Sequence, residues 1–164
     1  MTVKHRPDVI RSIEERFKEK ADFILETDVG SLDSLHAADM MISDFSGVAL
    51  EYAFGFERPV LFVDVERKVN NPDYDRIPHA PLEVSIRNEI GEVISPGELR
   101  RVPSAVRRLC SGAEGFAERI RQARQKNVYH VGRSGVIGAE ELVRIADGTA
   151  AHETRPAEPV QAGV

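Results

Sequence analysis

Short, nearly continuous apolar runs that alternate with helix-patterned stretches constrain this chain more than any other feature. Asp39-Met40-Met41-Ile42-Ser43 and Pro59-Val60-Leu61-Phe62-Val63-Asp64 are two such runs, and residues 48–54 between them read as a helix. A strand covered on both faces loses the alternation of a half-exposed strand and becomes apolar throughout. Runs of that kind separated by helices argue for an α/β fold, a three-layer Rossmann-like parallel sheet with helices on both faces. The series extends in both directions. Thr2-Val3-Lys4-His5 reads as the end of a strand, and residues 7–20 as a helix with Ile10, Ile13 and Phe17 at helical spacing. Phe23-Ile24-Leu25 reads as another buried strand, then 32–38 as a short helix capped by Ser31. Further helices are predicted over 81–89, 96–109, 113–126 and 138–146, with Glu92-Val93-Ile94 as a last short strand.

The chain has 164 residues, which suits one domain, expected over residues 1–147. From residue 148 to 164 Ala, Pro, Glu and Gly without periodicity read as a disordered tail. A net charge of -5 excludes a nucleic-acid footprint spread over the whole surface. No apolar run approaches the roughly eighteen residues of a spanning helix, and no signal-peptide pattern opens the chain. The single cysteine, Cys110, makes no internal disulfide and fits a reducing cytoplasm. No His, Cys, Asp or Glu spacing matches a structural metal site, and no cofactor is expected. Four strands starting at Met1 leave little room for a preceding phosphate loop, which suggests a domain truncated at its N-terminus; in-frame coding sequence upstream of Met1 tests this.

The most informative stretch is Ser43-Asp44-Phe45-Ser46-Gly47-Val48-Ala49-Leu50-Glu51, a small-residue turn between a buried strand and a helix. In a parallel sheet that turn lies at the carboxyl edge, where ligands of such folds bind. Ser46 and Gly47 would present helix N-terminal amides to an anion, with the Ser46 hydroxyl as another donor, and Glu51 one turn on would accept from a ribose hydroxyl. The plainer alternative makes Ser46 an N-cap, worth about 1 kcal/mol, and Glu51 a solvated residue. Both readings stand on the pattern alone.

The segment from Leu35 to Gly47, with Glu51-Tyr52-Ala53 and Arg58-Pro59-Val60-Leu61-Phe62 after it, resembles the CDP-glycerol glycerophosphotransferases. These are the teichoic acid polymerase-like enzymes of the GT-B fold. Gly132-Arg133-Ser134-Gly135 followed by Gly138-Ala139-Glu140 resembles that family's closing segment, so the likeness spans roughly residues 1–145. The resemblance implies the C-terminal, donor-binding half of a GT-B transferase. Such an enzyme moves a polyol phosphate, glycerol phosphate or similar, from a CDP-activated donor to a hydroxyl of a cell-surface polymer or lipid-linked acceptor, releasing CMP. It implies a missing N-terminal domain as partner and a cytoplasmic location, peripheral on the inner face of the plasma membrane. By residue match Ser46 and Gly47 hold the donor phosphates and Glu51 the ribose, and Lys4 and Arg6 would help to stabilise the diphosphate. Asp44 and Asp64 hold the family's acidic positions after their strands, and both are expected to order their turns, Asp44 by side-chain bonds to backbone.

The chain departs from the family pattern at Lys4-His5-Arg6-Pro7, where Arg6 takes the position expected of a histidine and His5 sits one residue early. His5 and Arg6 are the candidate catalytic pair, although a guanidinium holds phosphate and cannot serve as a base. The run Glu66-Arg67-Lys68-Val69-Asn70-Asn71-Pro72 also departs, which opens the identity of the polyol. Arg67 and Lys68, at the same edge, would neutralise donor or acceptor phosphates, or form an exposed basic pair. Glu83 and Arg87, four apart, read as an ordinary helix ion pair. His79 is a candidate acceptor contact, His130 a candidate to reach the site, and His36 a surface or packing residue. Residues 100–126 carry eight basic residues against Glu114 and Glu118, a patch suited to an anionic membrane surface or to polyanionic acceptors. Two rival functions remain: a UDP-sugar glycosyltransferase or 2-epimerase relative, and a non-catalytic remnant that binds a polymer, a membrane or a partner chain.

Overall fold

The computed structural model describes residues 6–27, 32–67, 71 and 73–148. The chain divides into two units, Met1–Ile120 and Arg121–Val164. The first holds α1 (Pro7–Phe17), α2 (Asp33–Ala37), β1 (Met41–Ser43), α3 (Gly47–Phe56) and β2 (Val60–Val63). After a 3-10 turn at Tyr74–Arg76 come α4 (Leu82–Ser85), α5 (Arg87–Ile90), β3 (Gly91–Ile94), a 3-10 segment Pro96–Arg101 and α6 (Val102–Ser111). Helix α7 (Ala113–Asn127) crosses the boundary, and α8 (Ser134–Ala146) belongs to the second unit.

The fold is mixed α/β around a parallel sheet of order β1-β2-β3. Met41 aligns with Val60 and Ser43 with Phe62; Val60 aligns with Gly91 and Val63 with Ile94. Strand β2 is central. Val60, Leu61 and Phe62 are all within 2% of full burial, and successive residues point to opposite faces, so β2 is covered on both. That is the physical cause of its unbroken apolar run. On one face Leu61 and Ile94 pack with Ala105 and Leu109 of α6, flanked by Val102 and Val106. These four α6 residues recur at helical spacing and form one apolar stripe. Helix α3 buries Ala49, Tyr52 and Ala53 in the same way. Each fully buried Leu or Ile contributes about 1.5–3 kcal/mol by leaving water.

Strands β2 and β3 approach so closely that a Cβ on Gly91 would lie 1.7 Å from the Val60 carbonyl oxygen. The backbone of Gly91 is extended, so it is this approach, not a special dihedral, that demands glycine. Strand β1 is more open, with Ile42 54% exposed.

Several expectations need correction. Phe23-Ile24-Leu25 forms no strand: the Phe23 ring stacks on Phe17 at 4.6 Å, tying the segment to the end of α1, and Ile24 is exposed. The helix expected over 81–89 is two short helices meeting at buried Ile86. The helix expected over 96–109 is a 3-10 segment followed by α6. Pro103 lies in the first turn of α6, where its missing N–H costs nothing, whereas inside one continuous helix it would break the ladder. The strand expected at residues 2–5 and the Ser31 cap lie outside the described residues. So does the tail expected over 148–164, apart from Gly148.

Candidate anion site at the carboxyl edge of the sheet

The parallel strands point their carboxyl ends toward the β1–α3 turn and toward Asp64, which follows β2. The Asp64 amide donates to the Ile94 carbonyl at 2.8 Å, fixing that residue at the sheet edge. Helix α3 starts with Ser46 in extended conformation, its carbonyl accepting from the Ala49 amide at 3.1 Å. The Ser46 hydroxyl makes no capping bond, so the side-chain cap expected in the plainer reading is absent. The amides of Gly47 and Val48 begin the helix and have no partner within it, and both residues are exposed. A Cβ on Gly47 would meet nothing within 4 Å and its φ is not left-handed. Nothing among the described residues therefore requires glycine there; its effect is to leave the adjoining amides open to an incoming group.

Arg87 is the buried charged residue of this edge, 9% exposed. Its Nη1 donates to Asp64 Oδ1 at 2.9 Å, and its Nε makes a long 3.5 Å contact with the Val84 carbonyl. The guanidinium stands 4.2 Å from the centre of the Phe45 ring and 5.9 Å from that of Phe62. One side chain from α5 thus joins the turn after β1 to the residue after β2. Glu83 is not its partner, contrary to the helix pair expected from their spacing.

Tyr52 and Arg58 brace the chain leading into β1. The Tyr52 hydroxyl donates to the Ala38 carbonyl at 2.7 Å, and Arg58 Nη1 donates to the carbonyls of His36 and Ala38 at 2.7 and 2.5 Å. Burial pushes the Tyr52 phenol above its ordinary pKa, with Arg58 pulling in the opposite direction. The His36 ring packs edge-on against Phe56 at 4.6 Å, the packing role expected of it.

Asp44 is exposed, and its carboxylate makes no bond to a described residue, so it does not order the turn as expected. Asp64 acts through Arg87 rather than through its own turn. Glu51 is exposed on α3. Arg6 precedes α1 and is paired with Asp8 at 3.2 Å, which holds the Asp8 carboxyl below its usual range. No bond or ring contact among the described residues joins Arg6 to the β1–α3 turn. Lys4, His5 and Lys68 lie outside the described residues. Arg67 stacks on Tyr74 at 5.6 Å, and with His79, Ile77, Pro78 and Pro81 they line an open cavity of about 470 Å³. His130 takes a left-handed backbone, φ 54°. In the basic stretch Arg108 pairs with Glu92 at 2.6 Å and Arg101 with Glu98 at 2.7 Å, while Arg119 donates to the Asn88 carbonyl. Part of that positive charge is therefore neutralised by carboxylates outside 100–126.

The residue that sequence reasoning missed is Arg87 as a buried cation. Its four-residue spacing to Glu83 points to a surface pair, and no spacing in the sequence marks partners as distant as Phe45 and Asp64. Among the described residues no group of three or more His, Cys, Asp or Glu side chains is arranged to hold a metal ion, and no helix is long and apolar enough to cross a membrane. The chain matches no protein-family model, no curated protein and no solved structure.

Proposed function

We propose that this chain is the donor-binding half of a GT-B-type transferase, holding the diphosphate of a CDP-activated polyol at the β1–α3 turn. The observation that carries the reading is the uncapped start of α3. Ser46 Oγ and the amides at Gly47 and Val48 are open at the carboxyl edge of a parallel sheet. The likeness of the Leu35–Phe62 stretch to the glycerophosphotransferases supplies the ligand class. In the reaction an acceptor hydroxyl attacks the polyol-bearing phosphorus. A new P–O bond forms, the bridging P–O bond to CMP breaks, and the hydroxyl proton passes to a base. Catalysis of such transfers is mostly positioning and charge neutralisation. Helix amides serve the leaving CMP because they are fixed dipoles that need no reorganisation as charge builds on it. Arg67, in its cavity beside Tyr74, is placed by this reading on the phosphate side, and Glu51 on the ribose.

The test is the affinity of CMP for the wild-type chain and for Ser46→Ala. Losing a hydrogen bond to a charged group costs about 1.5–3 kcal/mol, so the variant is expected to bind roughly ten- to a hundredfold more weakly. Equal affinity in both proteins removes Ser46 from the site and with it the turn as the phosphate cradle.

A further inference from the structure

We infer that Arg87 is the positioning residue of this site, holding the β1–α3 turn in its binding geometry through the Phe45 ring; the inference rests on the donor-binding reading above. A nearly buried guanidinium is retained only where its neighbours compensate for lost hydration. Here the compensation comes from two segments that are far apart in sequence. Asp64 Oδ1 accepts one N–H, from Nη1, at 2.9 Å, and the Phe45 face receives the cation at 4.2 Å. Phe45 immediately precedes Ser46, so the stack sets where the Ser46 hydroxyl and the first α3 amides point. Asp64 is in turn fixed to the sheet by its 2.8 Å bond to Ile94. The chain of contacts runs from β3 through Asp64 and Arg87 to Phe45, and ends one residue from the proposed phosphate donors. Lys in place of Arg keeps the charge but loses the planar face that stacks and the geometry that lets one group reach Asp64 and Phe45 together.

The experiment is a double-mutant cycle on ligand affinity, with CMP and inorganic pyrophosphate as probes and thermal midpoints recorded alongside. Arg87→Lys and Phe45→Leu are each expected to weaken both probes about tenfold. Phe45→Tyr, which keeps the ring, is expected to stay within about twofold of wild type. Because Arg87 acts through Phe45, the double variant is expected to be no weaker than about tenfold, well short of the roughly hundredfold loss of two independent effects. A merely structural role would lower the midpoints and leave the cycle additive. Additivity, or Arg87→Lys binding like wild type, overturns the inference and leaves the donor reading standing. Wild-type binding of pyrophosphate without binding of CMP overturns the donor reading, and the pyrophosphate cycle still decides on Arg87. Binding of neither probe overturns both.

Discussion

Replacing Gly91 with alanine probes the closeness of β2 and β3 directly. The added Cβ would sit 1.7 Å from the Val60 carbonyl oxygen and 2.7 Å from its carbon. Real Cβ atoms essentially never approach closer than 3.0 Å, so that carbonyl must retreat by at least about 1.3 Å, and it is backbone at the centre of the sheet. A side chain would swing aside cheaply; a strand in register on both sides does not. Overpacking of this kind costs about 1–3 kcal/mol, and each ladder hydrogen bond lost adds about 1 kcal/mol. We expect Gly91→Ala to cost about 2–5 kcal/mol, a large share of the roughly 5–15 kcal/mol typical of a domain. The assay is urea unfolding followed by far-UV circular dichroism, with Gly55→Ala as the matched control. Gly55 lies in α3, is exposed, and a Cβ there would meet nothing within 4 Å. The same substitution at Gly55 is therefore expected to stabilise, by roughly 0.5–1 kcal/mol, through helix propensity. Opposite signs at the two glycines support the packing described. A change within about 0.5 kcal/mol at Gly91, the usual range for an inconsequential site, would refute the close approach of these strands.

Two further predictions concern the frame around the turn. The Tyr52 phenol has its pKa raised by burial, so its neutral form is favoured in the folded protein. Stability from that preference is intact below the ordinary phenol pKa of 10.0 and is lost as pH rises through the higher folded value. Wild type should therefore lose stability above about pH 10 more steeply than Tyr52→Phe in denaturant melts at successive pH; parallel curves would contradict this. Glu57 ends α3 in the left-handed region at φ 55°, with its amide bonded to the Ala53 carbonyl at 2.9 Å. Glu57→Gly removes the Cβ strain of that conformation and should raise stability by up to about 1 kcal/mol, and a clear fall in the thermal midpoint would show that the Glu57 side chain outweighs its strain.

The elements closest to the sheet were the most legible in the sequence. Val60–Val63 and Gly47–Phe56 follow the pattern expected of them because burial on both faces and helical spacing leave direct marks on residue type. The Phe23-Ile24-Leu25 run misleads because three consecutive apolar residues satisfy a buried strand and a local aromatic contact equally well. The stacked Phe17 ring decides between them, and no periodicity announces it. Pro103 offered a break in the 96–109 helix, and the apolar spacing around it concealed the break. At the site the turn itself could be read from Ser46-Gly47. Arg87 could not, since its spacing to Glu83 suggests a surface pair, and only tertiary packing brings it to Asp64 and Phe45. Ion pairs between distant segments leave no spacing rule in the chain. The approach of Arg108 and Arg101 to Glu92, at 2.6 and 3.9 Å, makes the same point for the basic stretch: net charge along the sequence overstates the field where a carboxylate from another element intervenes.

The proposed ligand of the β1–α3 turn is the diphosphate of a CDP-activated polyol. The most direct test is a calorimetric titration of the chain with CDP-glycerol, CDP-ribitol, UDP and UDP-N-acetylglucosamine under one set of conditions. A CDP-polyol is expected to bind at least about tenfold more tightly than either uridine compound, a difference of about 1.4 kcal/mol. Tighter binding of the uridine compounds, or no binding of any of the four, would contradict it.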